Sequence, residues 1–240
     1  MLKLGLDTLL FAATFENKHL YSIKEAAELG AEAIDFSIND PDVFPVKEAA
    51  SLVREFGIIP ITSTALSLNC NPISPEKSER ENAVTFMKKL IDITAELGAK
   101  VTGGVNYAAS GYHSGKLRTD YEVGLCLDHL RTICEYVRPM KIDVAVEPVK
   151  RFESHFLNRA SQALDLIEKS GLDNLKVHLD TFHMNIEEAD MPDAIRSCKG
   201  HLANMHLVDS NRGVPRMGHT DWIENLQGNQ GYRLSGSRMH

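Results

Sequence analysis

The segment Ile142-Asp-Val-Ala-Val-Glu147 carries the pattern that decides the fold of this 240-residue chain. Alternate side chains of a β-strand point to opposite faces of its sheet. Ile142, Val144 and Val146 therefore share one apolar face, and the opposite face ends in Glu147. A strand of this kind suits a sheet that packs against helices on one side and presents polar groups on the other.

Two later segments, Lys176-Val-His-Leu-Asp180 and Leu202-Ala-Asn-Met-His206-Leu207, repeat this arrangement. Each has an apolar face, and its other face ends in a potential metal ligand, Asp180 or His206. The spacings, 180 − 147 = 33 and 206 − 180 = 26 residues, are each about the length of one strand–helix unit. The three segments therefore indicate consecutive parallel strands.

Short apolar runs alternate with helical patterns along the chain without a linker, which predicts one domain at 1–222 and an atypical tail at 223–240. The sheet is either open or closed into a barrel. Because no Gly-x-Gly-x-x-Gly follows the first strand, a dinucleotide-binding fold is disfavoured, and we predict an α/β (β/α)8 TIM barrel. The predicted strands are Leu2–Leu6, Ala33–Ser37, Ile58–Thr62, Lys100–Val105, Ile142–Val146, Lys176–Leu179 and Leu202–Leu207.

Helix boundaries are predicted from capping patterns and glycines. Capping-box sequences begin at Ser22, Ser78 and Thr119. Glycines that end helices or lead into strands are predicted at Gly30, Gly57, Gly98 and Gly171.

The composition narrows the classes of partner and compartment. Lysine and arginine total 26 against 33 acids, a net charge of −7, which disfavours nucleic acid as a partner. The sequence has no run of eighteen apolar residues, so no membrane partner is expected. The four cysteines are scattered without a Cys-x-x-Cys pair and are interpreted as reduced thiols of a cytoplasmic protein.

In a barrel, the carboxyl ends of the strands form the mouth of the active site, where Glu147, Asp180 and His206 would converge. Two carboxylates and an imidazole suit a divalent ion of the Mn²⁺, Co²⁺ or Mg²⁺ type, Mn²⁺ first. Each residue alone has an ordinary explanation: a solvated strand end, a helix N-cap or a hydrogen-bonded core histidine. Their matching positions on three successive strands favour the metal site.

Three stretches resemble the D-tagatose/D-psicose (allulose) 3-epimerase family of the xylose isomerase-like (sugar phosphate isomerase/epimerase) barrels. They are Val144-Ala-Val-Glu147-Pro-Val-Lys-Arg-Phe-Glu153, His178-Leu-Asp180-Thr-Phe-His183-Met-Asn-Ile-Glu-Glu188 and His206-Leu-Val-Asp-Ser-Asn-Arg212-Gly-Val-Pro. The likeness is dense from about Ile142 to Trp222 and looser earlier, as at Gly103-Gly104.

The resemblance implies a metal-dependent isomerase that epimerises a small ketose at C3 through an enediolate. It implies Glu147, Asp180 and His206 as metal ligands, with Glu147 also the proton-transfer base. It further implies that Glu153, His183 and Arg212 hold the oxygens of the ketose. The plainer interpretation of Glu153 and Arg212 is an ion pair between loops, which contributes little on its own.

The sequence departs from the family after Trp222. The family's fourth ligand, also its second acid/base, is a glutamate at the end of strand eight, and no apolar strand with such a glutamate is found in 223–240. We therefore expect a barrel that is incomplete at its eighth strand, with a truncated or frameshifted last unit. An unclosed barrel would gain from burying its edge, so a homo-oligomer stays open.

Two other functions stay open besides 3-epimerisation. One is a different enzyme on the same barrel, either another sugar isomerase or an endonuclease IV-like phosphodiesterase. The negative charge and the Asn211-Arg212-Gly213 loop disfavour the phosphodiesterase. The other is a catalytically impaired homologue that only binds metal or sugar.

Overall fold

Seven parallel strands form a single sheet in the computed structural model, which describes residues 3–223. The strands pair in the order in which they occur along the chain, from β1 to β7. Their bounds are β1 Gly5–Asp7, β2 Ala33–Ser37, β3 Ile59–Ala65, β4 Val101–Val105, β5 Asp143–Val146, β6 Leu175–Asp180 and β7 Leu202–His206. The prediction of consecutive parallel strands is confirmed.

The sheet curls so that its last strand faces its first two across the interior. The Asn204 amide on β7 donates to the Asp35 carboxylate on β2 at 2.7 Å, and the His206 ring lies 3.4 Å from the Asp7 carboxylate on β1. Within residues 3–223, β7 and β1 are not paired through their backbones. The seven strands are a curled part of the predicted TIM barrel. The predicted position of strand eight, in 224–240, lies outside the described residues.

Helices connect the strands and cover the outer face of the sheet. They are α1 Tyr21–Glu28, α2 Val46–Phe56, α3 Lys77–Leu97, α4 Asp120–Val137, α5 Ala160–Ser170, α6 Thr181–Glu187 and α7 Met191–Ser197. Short 3-10 helices occupy Thr8–Leu10, Asn17–His19 and Arg138–Met140. The long helices α3 and α4 bury apolar stripes, among them Leu90 and Leu130, which are fully buried. No helix in the described part of the chain is both long and apolar enough to traverse a lipid bilayer.

The capping predictions succeed at one helix start and fail at two. Thr119 caps α4 in a capping box with Glu122, as predicted. Ser22 lies inside α1, because the helix begins earlier than predicted, at Tyr21, directly after the 3-10 helix Asn17–His19. The Ser22 hydroxyl donates to the His19 carbonyl. Ser78 lies inside the first turn of α3, which begins after Glu76. The capping predictions at Ser22 and Ser78 are therefore wrong.

The predicted glycine positions are confirmed as left-handed residues at helix ends. Gly57, Gly98 and Gly171 are the C-caps of α2, α3 and α5, and Gly30 follows α1 with φ of 84°. The predicted parity of β5 and β6 also holds: Val144, Val146, Val177 and Leu179 pack among apolar side chains in the core. In β7 it is wrong for Leu202, because a register shift pairs Leu202 with Val177 and packs it against the core.

Two adjacent glycines on β4, Gly103 and Gly104, make close contacts that a Cβ atom would block. Gly103 lies against the ring of His178, and a Cβ at this position would lie 2.8 Å from its Nδ1 atom. Gly104 has φ of 98°, and a Cβ there would overlap the Thr64 carbonyl. Gly103 therefore leaves space for the ring of His178 on β6, and Gly104 allows a left-handed backbone in close contact with Thr64 on β3.

Candidate active site

Glu147 follows β5 at its carboxyl end and is held by its backbone. Its amide donates to the Gly104 carbonyl at 3.1 Å, and its carbonyl accepts from the Tyr107 hydroxyl at 2.9 Å. The side chain is buried, so a solvated strand end does not describe it. Among residues 3–223, no hydrogen bond reaches its carboxylate. The Nδ1 atom of His178 lies 3.8 Å from Oε2.

Asp180 ends β6 and uses its two carboxylate oxygens differently. Oδ1 accepts from the Phe182 amide at 2.7 Å and so caps α6. Oδ2 lies 3.8 Å from Nδ1 of His206. Capping occupies one oxygen and leaves the other facing the interior, so the capping role and a ligand role are compatible.

His206 ends β7 and has a different neighbour on each side of its ring. Nε2 lies 3.0 Å from Oδ2 of Asp35 and 3.4 Å from Oδ2 of Asp7, whereas Nδ1 faces Asp180. The ring also packs edge-on against His178, with centroids 4.2 Å apart.

The side chains that could hold a metal ion form three overlapping groups. In each group, the candidate ligand atoms lie within 4.8 Å of one another. The groups are Glu147 with Asp180 and His183, Glu147 with His178 and His206, and His206 with Asp7 and Asp35. His206 and Asp180 approach to 3.8 Å, and Glu147 shares a group with each of them, but the three sequence-predicted ligands do not together form one of these groups.

Several buried acids lie close together in the site, and their pKa values are shifted. Burial raises the pKa of Glu147 to about 8 and that of Asp7 to about 6, and it also raises the pKa of Asp180. Burial alone would lower the pKa of His206, but the hydrogen bond and charge of Asp35, with the other carboxylates, raise it to about 10. A divalent cation would offset this excess of negative charge, so the donor set fits such an ion.

Four residues of the interior were not predicted as site residues: Asp7, Asp35, His178 and Asn204. The parity of the late strands places His178 and Asn204 on the inner face, and Asp35 would have followed from the same argument on β2. Burial keeps the pKa of His178 well below its usual value, so its ring is neutral. For Asp35, the penalty of burial is outweighed by hydrogen bonding to His206, and its pKa is lowered.

The predicted substrate-binding residues lie together beyond the strand ends, Glu153 and Arg212 on loops and His183 in α6. Glu153 forms an ion pair with Lys150 and lies 3.6 Å from the Arg212 guanidinium and 3.9 Å from Nε2 of His183. The guanidinium also lies over the ring of Phe182, 5.1 Å from its centroid. The structure therefore brings Glu153, His183 and Arg212 together. The expected ion pair between Glu153 and Arg212 is present, and it is compatible with a role of both residues in substrate binding.

The backbone fixes the tautomer of His183. Its Nδ1 accepts from the Lys150 amide at 3.2 Å, and an amide can only donate, so the hydrogen lies on Nε2. Burial lowers the pKa of this ring to about 3, which keeps it neutral. His183 therefore presents a neutral N–H donor toward Glu153.

The loop after β7 that carries Arg212 is organised by Asp209. Its carboxylate accepts from the indole of Trp222 at 2.9 Å and from the amide of Arg216 at 2.8 Å. A Cβ at Gly218 would collide with this carboxylate. The loop is thus a compact unit with a defined conformation, which fixes where the Arg212 backbone lies.

Comparisons with known proteins agree with the fold described above. A family model described as the xylose isomerase-like TIM barrel matches residues 23–227. The L-ribulose 3-epimerase of Mesorhizobium japonicum is 30% identical over 223 residues, covering 92% of this chain and 75% of that protein. The ketose 3-epimerase of Arthrobacter globiformis is 30% identical over 228 residues, covering 92% and 76%.

The solved structure of an L-ribulose 3-epimerase superposes with a TM-score of 0.91 at 29% identity, covering 97% of this chain and 79% of that one. A D-psicose 3-epimerase crystallised in the presence of D-fructose gives 0.89 at 26% identity, covering 98% and 83%. The described strands and these relatives agree on the fold. The chain belongs to the xylose isomerase-like TIM-barrel family and, within it, to the ketose 3-epimerases, which are isomerases.

Proposed function

We propose that this protein interconverts small ketoses at C3 by removing and returning a proton, using a divalent cation held by Glu147, Asp180 and His206. The observation that carries the proposal is the convergence of these three side chains at the carboxyl ends of neighbouring strands. The relatives named as L-ribulose, D-psicose and ketose 3-epimerases support the same reaction.

The proposed cation is Mn²⁺, with Co²⁺ and Mg²⁺ as alternatives, because the donors are carboxylate oxygens and one imidazole nitrogen. When bound, such an ion polarises the ketone and stabilises the negative charge that develops on the substrate oxygens. The pKa values of Glu147 and Asp180, which burial raises, support this assignment, because a bound cation would favour the charged forms of both acids.

Glu147 is the proposed proton-transfer group. A base must reach the hydrogen that it removes, and its pKa must lie near the working pH. The Glu147 carboxylate faces the interior, and no described hydrogen-bond donor occupies it. Its backbone is fixed by Gly104 and Tyr107, so the side chain is oriented without a hydrogen bond to its carboxyl group. The charge of a bound cation would oppose the upward shift of its pKa to about 8.

Glu153, His183 and Arg212 are the proposed contacts to the ketose hydroxyls. Together they offer an acceptor, a neutral N–H donor and a cationic donor at the mouth of the site. Phe182 adds an apolar ring next to these polar groups, with the Lys150 ammonium and the Arg212 guanidinium over it. Polar groups beside an apolar wall suit a small polyhydroxylated substrate.

The proposal for the opposite face of C3 rests on the sequence alone. The expectation that a strand-eight glutamate is the fourth ligand and second acid/base concerns 224–240, outside the described residues. The proposed compartment is the cytoplasm, which is supported by four cysteines that are all free of disulfides.

The test is an assay of purified protein with Mn²⁺, Co²⁺ or Mg²⁺ and with D-fructose, D-tagatose or L-ribulose, in which each 3-epimer is quantified. We expect epimer formation, and a loss of about a hundredfold or more in Glu147→Gln. The matched control is Asp143→Asn, an inner-face acid at the opposite end of the same strand, and it should keep activity. Cation binding without any epimer would reject the function and favour an impaired homologue. Another isomer as product would favour a different sugar isomerase.

A further inference from the structure

Asp35 lies beside the proposed ligand His206 but is not placed to be a ligand itself. It is buried on the inner face of β2, and its Oδ2 atom lies 3.0 Å from Nε2 of His206. This hydrogen bond joins two residues that are 171 positions apart in the sequence.

Protein donors already occupy both carboxylate oxygens of Asp35. Oδ1 accepts from the Ser63 hydroxyl at 2.8 Å, and Oδ2 accepts from the Asn204 amide at 2.7 Å as well as from His206. An ionised carboxylate can only accept hydrogen bonds. The ring atom facing Asp35, Nε2 of His206, must therefore carry a hydrogen.

An imidazole that binds a cation is neutral and has one N–H, so in that state a hydrogen on Nε2 leaves the lone pair on Nδ1 for the ion. Nδ1 faces Oδ2 of Asp180 at 3.8 Å, which is too long for a hydrogen bond. Two ligand atoms that each lie about 2.1 Å from one ion are separated by roughly 3–4 Å, and 3.8 Å falls in this range. The geometry on both sides of the ring is thus consistent with one tautomer.

We propose that Asp35 is a positioning residue that keeps the hydrogen of His206 on Nε2, so that Nδ1 is the atom that binds the cation. The inference rests on the proposed function, because it presupposes the site formed by Glu147, Asp180 and His206. A carboxylate on the far nitrogen of a metal-binding histidine fixes the ring orientation and makes the ligand more basic.

The competing arrangement puts the cation on the other side of the ring. Asp7, Asp35 and a ring nitrogen of His206 also lie within 4.8 Å of one another. The hydrogen bonds of Asp35 argue against this arrangement, because both of its oxygens already accept from protein donors. In Asp7, Oδ1 accepts from the Leu9 amide and the Ser37 hydroxyl, and only Oδ2 faces His206. A cation there would have to displace several protein donors.

Two measurements test the proposal: the tautomer of His206 in the wild-type protein, and the cation affinity of variants at Asp35 and Asp7. Long-range proton–nitrogen NMR of the full chain saturated with diamagnetic Mg²⁺ reports which nitrogen of His206 is protonated, with His206→Gln used for assignment. We expect the hydrogen on Nε2. A hydrogen on Nδ1 would overturn the proposal and place the cation at Nε2. This readout needs no variant of Asp35 to fold.

Calorimetric titration with Mn²⁺ compares Asp35→Ala, Asp35→Asn and Asp7→Ala. We expect Asp35→Ala to weaken binding by about tenfold or more, because it removes the acceptor. Asp35→Asn keeps one acceptor oxygen and should recover most of the affinity. Asp7→Ala removes a carboxylate at 3.4 Å from the same nitrogen and should have a smaller effect than Asp35→Ala.

Equal weakening by all three variants would show that only the negative charge matters, and it would overturn the positioning role while leaving the metal site intact. If the wild-type protein bound none of the cations, the proposed function itself would fail, and the inference with it. The two failures are therefore distinguishable.

Discussion

The acids of the first two strands and those that end β5 and β6 differ in how their oxygens are satisfied. Asp35 accepts from a hydroxyl, an amide and an imidazole, and Oδ1 of Asp7 accepts from a backbone amide and a hydroxyl. In contrast, the described donors leave the Glu147 carboxylate without a hydrogen bond. Asp7 and Asp180 are intermediate, because Oδ1 of each accepts hydrogen bonds from described donors and Oδ2 of each does not. All four are acids on the inner face of one sheet, so residue type and burial alone do not separate them.

The number of hydrogen bonds that each carboxylate accepts indicates whether it can bind a ligand or orients a neighbouring side chain. A buried oxygen without a donor is costly, and the cost is removed when a cation or substrate binds. An oxygen already occupied by protein donors is stable as it is. Saturation of hydrogen bonds therefore separates Asp35, the proposed positioning group, from Glu147, a proposed ligand, and leaves Asp7 and Asp180 between them.

The largest expected effect separates the two oxygens of Asp180. Asp180→Asn keeps Oδ1 as the cap of α6 but puts an amide in place of the oxygen that faces His206. Losing one charged ligand should weaken Mn²⁺ binding by about a hundredfold, which calorimetric titration would measure. The melting temperature without metal should stay nearly unchanged, because the cap is kept.

The control for this variant is Asp190→Asn. Asp190 caps α7 through the Asp193 amide at 2.8 Å and is not among the residues that could hold the metal. It should leave Mn²⁺ affinity as in the wild type. Equal losses of affinity in both variants would contradict the division of Asp180 into a capping and a ligand oxygen.

A second prediction concerns a buried histidine without a carboxylate partner. Nε2 of His129 donates to the Asn106 carbonyl at 3.1 Å, and burial lowers its pKa from 6.5 to about 4. The unfolded chain therefore takes up a proton between these values while the folded protein does not. The resulting loss of stability begins as the pH falls below about 6.5 and continues to about 4.

His129→Gln should remove this pH dependence and can keep a donor to the same carbonyl. Chemical denaturation at pH 7 and pH 5 should show a fall in the free energy of unfolding that is about 2 kcal/mol smaller in the variant. An identical fall in both proteins would mean that His129 is protonated when folded. The raised pKa of His206 would then not be a special effect of its carboxylates.

The smallest predicted effect tests how much the early acids depend on their protein donors. Ser63→Ala removes the hydroxyl that donates to the buried Asp35 carboxylate. The free energy of unfolding should fall by about 1 kcal/mol, measured by urea denaturation. Ser67→Ala removes an exposed hydroxyl that donates to Asn69 and should change stability much less. If the two variants had equal effects, the saturation of Asp35 would not contribute to stability.

Much of the site could be predicted from the sequence because strand parity is local. The period of two assigns Glu147, Asp180 and His206 to one face without knowledge of distant contacts. The Thr119 cap and the glycines at helix ends are equally local. Ser22 and Ser78 show the limit, because the preceding turn or loop decides where each helix begins. The roles of the predicted site residues, as ligands or substrate contacts, stay predictions.

The sequence by itself determined the alternation of strands and helices, the inner face of each late strand and the family likeness. Only the tertiary structure decided that Asp7 and Asp35 meet His206, because the curl of the sheet brings β1 and β2 opposite β7. It also decided which carboxylate oxygens are occupied and which are open. Hydrogen-bond saturation depends on donors from distant strands, and no local pattern encodes them.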